Sequence, residues 1–405
     1  MFALPDKRKR SFLLYPDKEE NVNKKRINLA IVDKEENLNE KRINLPIVDN
    51  EAIRKLLIRR IEYTTLMIIQ KICSGQFPND FVQSNCDTME LLEYENDVNE
   101  SDEVESINTS DSMDFYRKRG KNKFALMMKV MAISHKLLIR NTTITRRSFY
   151  YDLKNDIANI LAPKQQYVDL AVNNVAEILN CAPWDLRLIG SSKGLAAGDL
   201  TLYFTDNQII DCRVPGGVLI PQIISNVISI RTNGKFVLVV EKDTIFQKLL
   251  EENITKLLNC ILITGKGYPD IATRMLIKLL SEKVNLPIYT LVDADPFGVD
   301  IMCVYRFGSS NLSKRNDSLA CPAIRWLGVH PSELGVLGVK TSPLAERDLS
   351  KLASIKSRSY MTETLLRQMI IMQKGKAEIE AVSSLCSNFL TATYLSLKIK
   401  GNDYI

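Results

Sequence analysis

The stretch that most constrains the fold of this chain is Ile288–Gly298, IYTLVDADPFG, an apolar run that ends in two aspartates one residue apart. A short apolar run bounded by turn residues is typical of a buried strand. Because side chains alternate between the faces of a strand, Asp293 and Asp295 are predicted to point the same way. A D-x-D pair alone also occurs in turns and helix caps, so the neighbouring segments decide its meaning.

Two further apolar runs precede this stretch and predict a parallel sheet. Lys235–Lys242, KFVLVVEK, carries Glu241 at its end, and Cys260–Gly267, CILITGKG, ends in a glycine turn. Amphipathic helical stretches at Thr244–Leu258 and Asp270–Lys283 separate the three runs, which gives a βαβαβ unit. The carboxyl ends of parallel strands meet at one edge of a sheet, so the glutamate and the two aspartates are expected there together.

These three carboxylates predict a metal site. Glu241, Asp293 and Asp295 offer only oxygen ligands. Oxygen ligands suit a hard divalent cation, and Mg²⁺ is the cation that we expect. The cluster contains no histidine or cysteine, which argues against zinc.

The same motifs resemble those of a known family. The glutamate, the glycine turn and the D-x-D pair are similar to the Toprim metal site of topoisomerases and primases. The segments VLVVEKD, ITGKGYPD and TLVDADPFGVDIMCVY resemble the meiotic double-strand-break protein of the sporulation-eleven family, the eukaryotic relative of the A-type subunit of DNA topoisomerase VI. The resemblance implies an α/β protein with an N-terminal winged-helix DNA-binding domain, followed by a Toprim domain with a Rossmann-like, mainly parallel sheet.

Upstream of these strands the pattern predicts a helix, a turn and a basic helix. Phe124–Arg140 has a broad apolar face, and Thr145 is predicted to cap a second helix over Ser148–Ile157. This is the outline of a winged-helix DNA reader, although it is common to many folds. On the second helix Tyr150 belongs to the apolar stripe, whereas Tyr151 falls on the polar side. From the residues alone, a surface tyrosine without a catalytic role is the more common case.

The segment TTITRRSFYYD resembles the family's nucleophile motif, in which the second of two adjacent tyrosines attacks DNA. The resemblance implies that Tyr151 is the catalytic nucleophile and that Arg147 contacts the scissile phosphate. It also implies DNA contacts by Arg146 and by Lys193, which lies in the glycine-rich loop GSSKGLAAGDL. Lys154 shares the polar face of the helix with Tyr151 and is expected to bind DNA as well.

The resemblance implies a Mg²⁺-dependent transesterase of the type IIB topoisomerase kind that forms DNA double-strand breaks in meiotic recombination. The tyrosine would become linked to the 5′ end and release a 3′-hydroxyl. The expected setting is double-stranded DNA on chromosomes in the nucleus, with the protein acting as a homodimer. A topoisomerase VI B-like subunit is expected as a partner because this sequence contains no ATPase motif, together with accessory break-forming proteins. Two alternatives are a Toprim nuclease that hydrolyses DNA through water and a non-catalytic DNA-binding scaffold.

Changes in composition divide the chain into five predicted segments. They are a flexible repetitive arm over 1–50, an amphipathic helix over 51–74, an acidic linker over 75–119, the winged-helix domain with the tyrosine over 120–215, and the Toprim domain with C-terminal helices over 216–405. The amphipathic helix is expected either to dock on a partner or to pack in the core. The last C-terminal helix is predicted over Lys376–Leu397, with Leu385 and Leu397 among its inward-facing residues.

The arm contains a tandem repeat and a basic cluster. DKEENVNKKRINLAIV at Asp17–Val32 is followed directly by DKEENLNEKRINLPIV at Asp33–Val48. Two copies are too few to build a solenoid. The basic run Lys7–Arg10 is consistent with a nuclear import signal or with a solvated charge run.

Composition sets broader limits on the function. The net charge of +6 permits nucleic-acid binding. Eight cysteines occur singly, which favours reduced thiols and argues against zinc fingers and disulfide frameworks. No apolar run reaches the roughly eighteen residues that a membrane span needs, and the first residues are charged, so we expect a soluble protein that is not secreted.

Overall fold

The structure is a computed structural model that describes residues 42–45, 50–75, 118–155, 160–309 and 319–405. The basic run Lys7–Arg10, the first repeat copy and most of the predicted acidic linker lie outside the described residues. Within the predicted arm, Arg42–Asn44 forms strand β1, and Leu45 next to it is buried.

Helices dominate the N-terminal part of the described chain. They are α1 (Asn50–Cys73), α2 (Lys118–Arg140), α3 (Arg146–Lys154) and α4 (Gln165–Ile178), accompanied by the short parallel strands β2 (Ile144–Thr145) and β3 (Leu188–Ile189). Helix α2 packs against both α1 and α4. Leu57 and Ile61 of α1 are buried in the shared core, whereas Leu56 and Leu66 on the same helix are exposed. Helix α1 therefore packs through one face and leaves apolar side chains open on another.

A four-stranded antiparallel sheet follows. Its order is β1, β8 (Val227–Arg231), β5 (Thr201–Phe204) and β6 (Ile209–Asp211). Strands β5 and β6 form a hairpin, and β8 pairs with β5 on the other side. The buried residues Leu202 and Ile230 join the sheet to the core of the following unit.

The predicted βαβαβ unit is present in a six-stranded mixed sheet. Its order is β12 (Ile324–Gly328), β11 (Ile288–Leu291), β9 (Phe236–Val240), β10 (Cys260–Thr264), β4 (Leu195–Ala197) and β7 (Val218–Leu219). The first four strands are parallel, and β4 pairs antiparallel with both β10 and β7. Helices α5 (Asp243–Glu251), α6 (Ile254–Leu257) and α7 (Ile271–Glu282) lie between the strands in sequence.

The pairing of strand β4 crosses the domain boundary that the sequence predicts at residue 215. It lies in the segment assigned to the tyrosine-bearing domain, yet it pairs with β10 of the βαβαβ unit. Its small residues Ala196 and Ala197 are buried on this sheet. A strand of only three residues gives no local sign of the distant strand with which it pairs.

The C-terminal part adds helices around the sheet. They are α8 (Pro296–Phe307), α9 (Glu346–Lys356), α10 (Glu363–Met372), α11 (Ile379–Ser383), a π-helix (Phe389–Leu395) and α12 (Ser396–Gly401). The single helix predicted over Lys376–Leu397 is wrong. One helix ends at Ser383 and a π-helix begins at Phe389, and between them Asn388 has a left-handed φ of 55°. As a result Leu385 is 41 % exposed and Leu397 is 63 % exposed. Across the described part of the chain, no helix combines the length and hydropathy needed to cross a membrane.

Candidate active site

The carboxyl ends of β9 and β11 bring the predicted carboxylates together. Glu241 directly follows β9, and its backbone N–H donates to the carbonyl of Leu291 at the end of β11 (3.1 Å). The Oε2 atom of Glu241 accepts a hydrogen bond from the backbone N–H of Asp293 (2.9 Å). Parallel pairing of the two strands therefore places a glutamate and an aspartate side by side at this edge.

Asp293 is held from two sides and is only 4 % exposed. Its Oδ1 accepts from the backbone N–H of Ile379 (2.9 Å), and its Oδ2 lies 2.9 Å from the ammonium of Lys242. Burial raises the pKa of Asp293 to about 6, although the contacts with Ile379 and Lys242 oppose this rise. The carboxylate is thus fixed in a place that favours an added positive charge.

Asp295 begins helix α8 and brings that helix against the other carboxylates. Its Oδ1 accepts from the backbone N–H of Gly298 (2.6 Å). A Cβ at Gly298 would lie 2.9 Å from Glu241 Oε2 and 2.6 Å from the Asp293 carbonyl oxygen, so only glycine permits this approach. The D-x-D pair is therefore both a helix cap and part of a carboxylate cluster.

The electrostatics of the cluster suit a hard cation. Burial, followed by the negative charge of Asp293, raises the pKa of Glu241 to about 8. Burial also raises the pKa of Asp295. A divalent cation among these oxygens would stabilise all three ionised forms, and oxygen is the ligand that such cations prefer. Glu241, Asp293 and Asp295 therefore fit a hard cation by the chemistry of their oxygen ligands.

Tyr151 lies on α3, whose start is fixed by a side-chain cap. Thr145 Oγ1 accepts from the backbone N–H of Ser148 (3.0 Å), which confirms the predicted cap, and the helix begins at Arg146. Tyr150 is 9 % exposed and donates its hydroxyl to the Pro163 carbonyl (3.2 Å), whereas Tyr151 is 47 % exposed. The helix face thus separates the two adjacent tyrosines as predicted. The far end of the predicted helix, Ile157, lies outside the described residues.

The basic residues of α3 differ in what they contact. The Cζ atom of Arg147 lies 5.9 Å from the centre of the Tyr151 ring. Lys154 is exposed, with its Nζ 5.4 Å from the centre of the Tyr150 ring. Arg146 instead points inward, where it donates to Asp169 Oδ1 (3.1 Å) and to the Leu188 carbonyl (3.2 Å).

The glycine-rich loop that carries Lys193 is seated on the start of α7. Asp270 Oδ2 accepts from the backbone N–H groups of Lys193 (2.8 Å) and Gly194 (3.2 Å), while its Oδ1 caps α7 at Thr273 (2.8 Å). The ammonium of Lys193 donates to the carbonyl of Lys266 in the glycine turn after β10 (3.2 Å). Partial burial lowers the pKa of Lys193. The structure therefore joins Lys193 to the carboxylate edge of the six-stranded sheet.

Comparisons with known proteins match both parts of this arrangement. A family model for the Toprim domain of Spo11 and of the A-type subunit of topoisomerase 6 matches residues 236–399, and one described as "Type IIB DNA topoisomerase" matches residues 122–188. "Meiotic recombination protein SPO11" of Homo sapiens is 37% identical over 84% of this chain and 87% of its own length. This chain belongs to the family of Spo11 and the A-type topoisomerase VI subunits.

Two other relatives are similar over most of this chain. "Meiotic recombination protein W68" of Drosophila melanogaster is 37% identical over 72% of this chain and 87% of that protein. The A-type subunit of DNA topoisomerase 6 from Arabidopsis thaliana is 31% identical over 85% of this chain and 80% of that protein. The Toprim match includes all three carboxylates, and the type IIB match includes Tyr151. The family resemblance that the sequence motifs predict is confirmed, as is the presence of a Toprim domain.

A second acidic group in this Toprim region is paired with a buried lysine. His330, Glu333 and Asp403 approach one another closely enough to bind a metal. The ammonium of Lys398 lies among them, 3.1 Å from His330 Nδ1 and 3.2 Å from Asp403 Oδ2, and it also pairs with Glu333. Although burial opposes it, contacts with His330 and Lys398 lower the pKa of Glu333 to about 2. The buried lysine supplies the positive charge here, so this group is a salt-bridge cluster.

Sequence reasoning missed three residues that surround the predicted site. Lys242 follows Glu241 directly and pairs with Asp293, and Glu380 pairs with Lys242 in turn (2.9 Å). Asp270 holds the loop of Lys193. Two of these residues belong to motifs that the sequence already singles out. Lys242 follows the glutamate of VLVVEKD, and Asp270 is the last residue of ITGKGYPD. The local sequence gives no sign of Glu380, because it reaches this edge through the bridge between Ala377 and the distant Ala294.

Proposed function

We propose that this protein cuts double-stranded DNA by transesterification and so forms the double-strand breaks that start meiotic recombination. One observation carries the proposal. Tyr151 stands exposed beside Arg147 on a helix whose other aromatic residues are buried, within the segment that matches type IIB DNA topoisomerases. Family membership supports the same reaction, because the relatives' names describe meiotic recombination proteins and part of a DNA topoisomerase.

In the proposed reaction the Tyr151 hydroxyl oxygen attacks a backbone phosphorus. A bond forms between that oxygen and phosphorus while the bond from phosphorus to the 3′ oxygen breaks. The tyrosine proton leaves, and the departing 3′ oxygen takes up a proton to become a hydroxyl. The phosphodiester is thereby kept as a tyrosyl link to the 5′ end, and no water is consumed. Positive charge near a phenol favours the loss of its proton, and Arg147 provides that charge.

Glu241, Asp293 and Asp295 are proposed to hold Mg²⁺. When bound, the ion would supply positive charge that stabilises the phosphate under attack and the leaving 3′ oxygen. The protein orients the ligands by itself, since the backbone N–H groups of Ile379 and Gly298 fix the two aspartates. Fixed ligands need little rearrangement when the cation arrives.

The proposed DNA contacts follow the exposed basic residues. Arg147 and Lys154 flank Tyr151 on α3, and Lys193 extends from its loop to the glycine turn. A phosphate would replace the Lys266 carbonyl as the partner of Lys193. Arg146 enters the proposal as a brace for the start of α3, because its guanidinium is already paired with Asp169.

The proposed assembly is a dimer in which each site draws on both protomers. Tyr151 lies on α3, which contacts α4, β2 and β3, whereas the carboxylates lie on the six-stranded sheet. We propose that the tyrosine of one protomer faces the carboxylates of the other, so that two hybrid sites cut the two strands. The helices and hairpin of residues 120–215 are proposed to act as a winged-helix DNA reader. Accessory break-forming proteins, a topoisomerase VI B-like subunit and a place on chromosomes in the nucleus complete the proposal.

The test is the recovery of covalently linked DNA from meiotic cells under denaturing conditions. The expected result is DNA joined to this protein in the wild type and none with Tyr151→Phe. Tyr150→Phe is the matched control and should retain the link, because its hydroxyl is occupied by Pro163. Broken DNA without a protein link would instead indicate a hydrolytic nuclease, and no breaks at all would indicate a scaffold.

A further inference from the structure

The ammonium of Lys242 lies in a cage of carboxylates at the edge of the proposed metal site. It is 2.9 Å from Asp293 Oδ2, 2.9 Å from Glu380 Oε2 and 3.1 Å from Glu378 Oε2. Only Asp293 belongs to the carboxylate trio. The lysine therefore bridges one proposed metal ligand and two acids that are not part of the trio.

The two outer acids are held in place by a segment that docks on the D-x-D strand. Ala294 and Ala377 exchange backbone hydrogen bonds of 2.9 and 3.2 Å. Between the two acids, the backbone N–H of Ile379 donates to Asp293 Oδ1 (2.9 Å). Glu380 is further fixed by the hydroxyl of Thr244, which donates to its Oε1 (3.1 Å). This docking sets Glu378 and Glu380 beside Lys242.

We assign Asp293 Oδ2, the oxygen beside Lys242, to the proposed metal, because Oδ1 already accepts from the backbone N–H of Ile379. An ammonium on that oxygen neutralises the carboxylate, but its charge repels a second cation a few ångströms away. Glu380 and Glu378 offer the lysine another position, which a rotation of its flexible four-carbon chain can reach. Resting on the metal site proposed above, we propose that Lys242 is a built-in counter-ion that occupies Asp293 without metal and moves fully onto Glu380 and Glu378 when the cation binds.

The charge balance of the cage supports this exchange. Burial alone would lower the pKa of Lys242, but its hydrogen bonds to Asp293 and Glu380 raise it above the ordinary value. The three carboxylates around Lys242 thus favour its charged form in the position that the structure shows. Lys398 in the second acidic group offers a contrast, because its carboxylate partners Glu333 and Asp403 are not ligands of the proposed metal.

The first test compares the metal affinity of the purified protein with that of two lysine variants by titration calorimetry with Mg²⁺ and by the spin-resonance signal of Mn²⁺. Lys242→Met should raise the affinity by about tenfold, within the range usual for two coupled binding events. Lys248→Met is the control, since it removes one charge from the same region, where Lys248 contacts the Ser383 carbonyl (3.1 Å) and hydroxyl (3.0 Å). Its affinity should match the wild type. Lys242→Gln repeats the test with a polar side chain if the methionine variant folds poorly.

The second test isolates the role of Glu380. Glu380→Gln should lower the metal affinity, because it weakens the alternative ion pair of Lys242 and so favours its contact with Asp293. In the Lys242→Met background the same change should have almost no effect, since the two residues act as one unit. An equal loss in both backgrounds would show that Glu380 acts only by its own charge, and that result overturns the exchange.

Asp293→Ala separates failure of the inference from failure of the metal site. Binding that is present in the wild type and lost in Asp293→Ala establishes the site. If Lys242→Met then binds Mg²⁺ no more tightly than the wild type, the site stands and the exchange is wrong. If the wild type shows no binding that depends on Asp293, the proposed metal site is wrong, and the role of Lys242 falls with it.

Discussion

The two parts of the proposed active site are built in opposite ways. At the carboxylate edge, backbone N–H groups fix Glu241, Asp293 and Asp295, and Asp293 is 4 % exposed. On α3, Tyr151 is 47 % exposed, and the Tyr150 ring and the guanidinium of Arg147 lie near its ring. The carboxylates are thus held by the fold itself, whereas the tyrosine side chain is open to solvent.

The difference shows where each half obtains its order. Buried carboxylates are costly, so the fold must supply partners for them, and it does so through the sheet edge, the start of α8 and the residues around Ile379. An exposed tyrosine carries no such requirement. In the proposed dimer its hydroxyl would gain a fixed position from DNA and from the facing protomer. We therefore expect changes at the edge to affect cation binding and stability, and changes at Tyr151 to affect chemistry alone.

The largest expected effect is the loss of Mg²⁺-dependent cleavage when the edge is damaged. Asp293→Ala and Glu241→Ala should each lower cleavage by about 10²- to 10³-fold or more, as is usual when one preorganised electrostatic group is removed. Cleavage of labelled DNA by the assembled protein measures this. Glu363→Ala is the control, because that exposed acid on α10 pairs with Arg367 nearby (2.5 Å), away from the trio. Full activity of Asp293→Ala would contradict the metal assignment.

The next largest effect is expected when two inactive variants are combined in one dimer. A heterodimer of Tyr151→Phe and Asp293→Ala chains has one hybrid site with both lesions and one with neither. It should therefore nick a single strand, although either variant alone is inactive. Counting tyrosyl-linked nicks and double-strand breaks from a purified heterodimer is the measurement. If each site were built within one protomer, both sites would be damaged and no nicks would form.

A smaller effect is a pH dependence of stability that belongs to the edge alone. Burial raises the pKa of Glu241 to about 8 and that of Asp293 to about 6, so the folded state binds protons more tightly than the unfolded state. Their contribution to stability is full below about pH 4, the ordinary value for a carboxyl, and is lost as the pH rises through these two values. Without metal, the melting temperature should fall over this range, and Mg²⁺ should oppose the fall. A variant with Glu241→Gln and Asp293→Asn should show a shallower fall; an equal one would contradict this account.

The smallest expected effect is that of Tyr150→Phe. This change removes the hydrogen bond to Pro163 and should cost about 1 kcal/mol of the free energy of unfolding. Denaturant unfolding measures the change. Cleavage at saturating DNA should stay near the wild-type level, because the buried Tyr150 hydroxyl already donates to Pro163 and has no part in the proposed reaction. A loss of cleavage as large as that caused by Tyr151→Phe would contradict the distinction between the two tyrosines.

Much of this arrangement follows from short-range patterns in the sequence. The apolar runs predict β9, β10 and β11, and their last residues place Glu241 and Asp293 at one edge, as the structure shows. Helical periodicity separates Tyr150 from Tyr151. These features depend on the alternation and spacing of neighbouring side chains, which the sequence states directly.

The remaining features depend on contacts between distant residues. Strand β4 takes its place through pairing with β10, and Arg146 turns inward because Asp169 on α4 faces it. Apolar spacing over Lys376–Leu397 suggests one helix, but the left-handed Asn388 divides it. The docking of Ala377 on Ala294 carries Glu380 to the metal edge from far along the chain. Periodicity contains no information about such partners.

The most direct test of the central claim is to identify the residue that carries the DNA. Covalent complexes from meiotic cells can be digested with nuclease and trypsin, which leaves a nucleotide on the peptide Ser148–Lys154 that contains both tyrosines. Fragmentation in a mass spectrometer then locates the modified side chain. We predict a 5′-phosphotyrosyl link on Tyr151 with Tyr150 unmodified. A nucleotide on Tyr150, or on a peptide outside α3, would contradict the account.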